Sequence, residues 1–149
     1  MGRGAFTQVV PKSEHSSRLS KFKSCMEANQ IDVSFLTEPD NVFYFSGYAR
    51  ASFSKRRFPE CLVIPTYGES VLIVPQVEKE GASKRSNVSN IKIWPDEDPG
   101  YYLANTLRSC ANRPPRIGIE SGDAFHTRLQ WEDLRRIRDT LSIADFSCN

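Results

Sequence analysis

Thr37-Glu-Pro-Asp-Asn-Val-Phe-Tyr-Phe-Ser-Gly47 decides how the chain is read. The apolar run Asp32-Val-Ser-Phe-Leu-Thr37 leads straight into it and has the length of a short strand. Pro39 suits the first position of a helix, where its missing N–H would have had no partner. Val42, Phe43, Tyr44 and Phe45 supply bulk to pack on a sheet, and Gly47 is the residue expected just past a helix end. A strand, a short aromatic helix and then an open basic loop, Tyr48 to Pro59, are therefore predicted.

Outward from this unit the periodicities alternate. Leu19, Phe22, Cys25 and Met26 recur at helical spacing over Ser16–Asn29, predicting an amphipathic helix behind a loose leader. Cys61–Ile64 and Val71–Val74 are continuous apolar runs separated by a turn cluster, the pattern of a hairpin covered on both faces. A polar helix over 76–86 follows, with Val77, Gly81 and Ala82 as its weak inner face. Asn90–Trp94 alternates like a strand. Asp98-Pro99 reads as an N-cap followed by a proline opening a helix lined by Leu103, Leu107, Cys110 and Ala111. Arg116–Glu120 is another strand. Thr127 and Gln130 have capping-box spacing before a helix carrying Leu129, Trp131, Leu134, Ile137 and Leu141. Ser142–Phe146 closes as a strand. One hairpin among helix-preceded strands predicts a single α/β domain: a six-stranded mixed sheet with helices on both faces.

The 149 residues suit one domain, and a net charge of +2 gives no pull toward nucleic acid. No apolar run reaches the roughly 18–20 residues of a membrane span. Cys25, Cys61, Cys110 and Cys148 are widely spaced, without CxxC, and read as reduced structural thiols of a cytoplasmic protein. His15 and His126 have no neighbouring Cys or His, and no glycine-rich phosphate loop is present. Asp32, Glu60, Glu120 and Asp145 at strand ends, with Asp123 beyond, could hold Mg²⁺ in a nuclease, but acids there more commonly cap helices. Lys55-Arg56-Arg57, between Phe53 and Phe58, is the segment best suited to bind an anion or a partner, against the reading of a solvated loop.

The ordered series resembles the N-terminal domain of the creatinase/prolidase/aminopeptidase P family. It is carried by Arg18-Leu19 and Met26, the stretch Leu36–Tyr48, Arg57 and Pro59, Gly68–Pro75, Trp94, Asp98-Pro99 and Arg116–Glu120. The resemblance divides the chain into a leader, residues 1–15, and a creatinase/prolidase N-terminal-like domain, residues 16–149. It implies a ribonuclease-H-like sheet and a separate C-terminal pita-bread domain that holds two divalent metals, such as Mn or Co. The expectation is a non-catalytic domain, inactive alone, of an Xaa-Pro peptidase or creatinase-like hydrolase. Catalytic residues, metal ligands and cofactors are expected to be absent from this piece, with the missing C-terminal catalytic domain as partner, homodimers formed, and neither nucleic acid nor membrane engaged. Tyr48, Arg57 and Trp94 are the substrate-access residues the resemblance implies. The alternative expectation is a stand-alone module that binds a small molecule or a protein without catalysis.

Overall fold

The computed structural model describes residues 11–50, 58–121, 127–143 and 147–148. Helix α1 spans Lys12–Ala28, strand β1 Val33–Leu36 and helix α2 Pro39–Ser46. Strands β2 (Cys61–Pro65) and β3 (Val71–Val74) follow, then a 3-10 turn (Gln76–Glu78), α3 (Lys79–Arg85) and β4 (Asn90–Ile93). The chain continues through α4 (Pro99–Arg108), β5 (Ile117–Ile119), α5 (Trp131–Leu141) and β6 (Ser147–Cys148).

The sheet order is β4-β3-β2-β1-β5-β6. β1, β2 and β3 form an antiparallel meander, while β4 joins β3, and β5 joins β1, in parallel. Alternation along the strands builds two cores, because successive side chains point to opposite faces. Cys61, Val63, Val71 and Ile73 face α4 and α5 with Leu103, Leu107, Ile137 and Leu141. Leu62, Ile64, Leu72 and Val74 face α1, α2 and α3 with Met26, Val42 and Ala82. The continuous apolar runs of β2 and β3 are thus explained by cover on both sides.

The decisive stretch folds as read: Pro39 opens α2, and Gly47 ends it in the left-handed region at φ 72°. Asp98 caps α4, its carboxylate accepting from the Tyr101 amide at 3.0 Å. Arg136 donates to the same carboxylate at 2.8 Å and holds its pKa below the usual range.

Five readings need correction. α1 begins at Lys12, so residues 12–15 of the expected leader are helical, and Cys25 on its expected inner face is exposed. The 3-10 turn shifts the helical phase after Pro75, turning Val77 outward at 68% exposure and Glu78 inward at 5%. Gln130 is the cap residue of α5 but makes no side-chain cap, and Thr127 bonds elsewhere, so no capping box forms. Trp131, at the first position of α5, is 69% exposed, because the inner stripe runs through Asp133, Ile137 and Leu141. The expected final strand does not start at Ser142. Ser142, left-handed at φ 53°, ends α5, residues 144–146 lie outside the described residues, and among the described residues of this end Ser147–Cys148 pair with β5, giving five full strands and a two-residue fringe rather than six full strands.

Candidate functional site

The two ends of the basic loop are fastened to the sheet by separate anchors. At the incoming end, Tyr48 is buried and its hydroxyl donates to Glu78 Oε2 at 2.6 Å, with the Arg85 guanidinium 5.4 Å from its ring centre. Burial first, and then this bond to Glu78, push the Tyr48 pKa well above the ordinary tyrosine value. Arg50 pairs with the buried Glu60 across the loop base at 3.4 Å. At the outgoing end, the Trp94 indole N–H donates to the Pro59 carbonyl at 2.8 Å, and Phe58 lies against the Trp94 ring at 6.0 Å. These contacts tie the described residues on either side of 51–57 to the folded domain.

Beside the loop base lies the point where the sheet changes direction. β1 leads to α2 on one face, and its parallel neighbour β5 leads to α5 on the other. A crevice beyond the carboxyl ends of two such strands is the common ligand position in open α/β sheets. Here a carboxylate of the chain itself fills it. Glu120, just past β5, accepts from the Thr37 amide at 2.8 Å, the Glu38 amide at 3.0 Å and Asn41 Nδ2 at 2.8 Å. It thus occupies the anion position at the start of α2. Thr37 Oγ1 accepts from the Arg128 amide at 2.6 Å, and the Arg128 guanidinium grips Glu38 with two bonds of 2.8 and 3.0 Å. The network ties the β1–α2 junction to the residues preceding α5.

Of the three sequence-predicted access residues, Tyr48 and Trp94 are not brought together. Tyr48 lies in the core against α1, α2 and α3, Trp94 in the core against α4 and α5, and Arg57 lies outside the described residues. With Tyr48 at 1% and Trp94 at 5% exposure, neither side chain reaches solvent; both act as footings of the loop. Sequence reading missed Glu78, Arg128 and Glu38. Glu78 carried one signal, an acid beside the apolar face of a short helix, whereas Arg128 and Glu38 stand 90 residues apart without any local pattern.

The described acids Asp32 and Glu120 lie apart from one another. Asp32 accepts from the Arg116 amide at 2.7 Å and from Arg113 at 3.1 Å, at the opposite end of β1 from Glu120. Asp123, His126 and Asp145 lie outside the described residues. Among the described residues no group of three His, Cys, Asp or Glu is placed to hold a metal. Cys25, Cys61 and Cys110 are free thiols. Among the described residues no helix is long and apolar enough to cross a membrane.

Residues 18–147 match the family model described as the creatinase/prolidase N-terminal domain. The chain belongs to that family. It is 26% identical over 128 residues to an Xaa-Pro dipeptidase of Pyrococcus furiosus, covering 86% of this chain and 32% of that protein. It is 25% identical over 142 residues to an uncharacterized hydrolase/peptidase of Sinorhizobium fredii, covering 89% of this chain and 36% of that one. The creatinase/prolidase N-terminal domain thus spans about a third of the length of these relatives. Its fold is also that of an Xaa-Pro aminopeptidase structure from Streptococcus pyogenes, with TM-score 0.68 at 14% identity over 93% of this chain and 94% of that one. A prolidase structure from Pyrococcus horikoshii superposes with TM-score 0.65 at 21% identity, over 89% of this chain and 32% of that chain.

Proposed function

We propose that this creatinase/prolidase N-terminal domain is a non-catalytic part of a metal-dependent Xaa-Pro peptidase or creatinase-like hydrolase of the cytoplasm. In this reading it assembles the oligomer and shapes access to an active site built by a separate catalytic domain. The observation that carries it is the family match over 18–147 in a chain about a third as long as its peptidase relatives. The antiparallel β1–β2–β3 meander, with β5 and β6 added in parallel beside β1, supports reading the sheet as ribonuclease-H-like.

The chain contributes position rather than chemistry. Tyr48–Glu78, Arg50–Glu60 and Trp94–Pro59 hold the ends of the basic loop, so that Arg57 can present a guanidinium to a substrate carboxylate. Two divalent metals, such as Mn²⁺ or Co²⁺, belong in this reading to the catalytic domain, and no reaction step is assigned to this chain. The pure chain is expected to show no hydrolysis of Xaa-Pro dipeptides with either metal, and to run as a dimer in light scattering. Turnover by the pure chain would overturn the non-catalytic reading. A monomer that gains no activity when combined with a catalytic domain would instead support the stand-alone binding module.

A further inference from the structure

A cavity of about 240 Å³ lies between α1, the Gly68–Ser70 turn before β3 and the segment joining α3 to β4. Two polar atoms in its lining residues have no hydrogen-bond partner. His15 is 7% exposed and its Nδ1 is unpartnered, and the Oγ of Ser70 is buried and equally unpartnered. An orphaned buried polar atom costs about 1–3 kcal/mol, so a pair of them in one lining needs an explanation. The third participant is Lys23. Its ammonium donates to the Gly68 carbonyl at 2.6 Å, leaving two N–H donors, and it forms no ion pair among the described residues. Burial lowers its pKa below the ordinary lysine value.

We propose that this cavity is a binding site for a small oxyanion, held by Lys23, Ser70 and His15. Lysine supplies a compact charge with three donors, and a hydroxyl and an imidazole beside it can both donate to the oxygens of phosphate or a carboxylate. The surrounding charges permit it. Arg18 on α1 is occupied by Glu14 and by the Tyr44 carbonyl, and it adds positive potential at His15. Glu69, the acid in the lining, is exposed to solvent. Bound anion would supply the counter-charge that Lys23 lacks and partners for both orphaned atoms. This site shares no residue with the loop base, so it stands or falls separately from the proposed function.

The test is a titration of the chain with inorganic phosphate, and separately with acetate, at constant pH and ionic strength. The His15 ring and the Ser70 and Asn87 amides are followed by NMR. Saturable shifts at these groups in the millimolar range are expected. Lys23→Gln should weaken the affinity about tenfold, the loss of one charged hydrogen bond. Lys84→Gln, on the exposed face of α3, should leave it unchanged. Stronger saturation by phosphate identifies a phosphate-bearing ligand, and stronger saturation by acetate a carboxylate. Linear drift without saturation, or saturation indifferent to Lys23→Gln in a folded variant, would overturn the site and leave water as the partner of His15 and Ser70.

Discussion

Removing the Glu120 carboxylate would strand the amides of Thr37 and Glu38 and the Asn41 side chain at the centre of the sheet's carboxyl end. Glu120→Ala is therefore expected to destabilise the domain by about 2–3 kcal/mol, since buried donors lose their acceptor rather than exchange it for water. Urea unfolding at neutral pH measures this, and a midpoint within error of the parent would show that α2 does not depend on Glu120. Sequence reading placed Glu120 at a strand end and favoured a helix-capping role, but could not see which helix. The cap residue of the helix it serves, Glu38, stands 82 residues earlier in the chain. Tyr48 was legible as an aromatic at a loop start and illegible as a buried hydroxyl, because its partner Glu78 faces inward only after the 3-10 turn rotates the chain.

Helices α4 and α5 meet at Gly100. A Cβ there would lie 2.9 Å from the Arg136 Cβ and 3.0 Å from the Asp133 carbonyl, both on α5. The Asp133 carbonyl is backbone and the Arg136 Cβ is fixed directly to the backbone, so no flexible side-chain end can move aside to relieve the contact. Gly100→Ala should cost about 1–3 kcal/mol by forcing the two helices apart, outweighing the gain in helix propensity of up to about 1 kcal/mol. A raised thermal midpoint in the variant would show that the helices can separate freely. Nothing local distinguished Gly100 from an ordinary glycine after a helix-opening proline. The opposite holds for Gly47, whose place after an aromatic helix predicted the left-handed backbone that it adopts.

Across the whole molecule, the ionisable groups inside the two cores set the response to alkali. Burial first, then the nearby Glu120 charge, hold the Cys61 thiol protonated far above its usual range, and burial together with Glu78 does the same for Tyr48. A raised folded pKa means stability that is complete below the unfolded value and lost as pH climbs toward the folded one. The loss should begin near pH about 8.5 for cysteine and steepen near about 10 for tyrosine, at up to about 1.4 kcal/mol per pH unit for each group. Cys61→Val should flatten the interval from about pH 8.5 to 10, leaving the loss from the raised Cys110 thiol offset by the lowered Lys23 ammonium. Chemical denaturation across that range decides it, and an unchanged slope would show that Cys61 does not couple to folding.

The chain's own pattern determined the α/β class, the β2–β3 hairpin, the bounds of α2 and the Asp98 cap of α4, since each rests on neighbours within one or two turns. It also carried the ordered markers that place the chain in the creatinase/prolidase N-terminal domain family. Only the tertiary structure decided that Tyr48 and Trp94 sit in different cores, that Glu120 fills the crevice between β1 and β5, and that Glu38 pairs with Arg128. Those contacts join residues tens of positions apart, and their energy comes from excluding water around groups that sequence spacing cannot bring together.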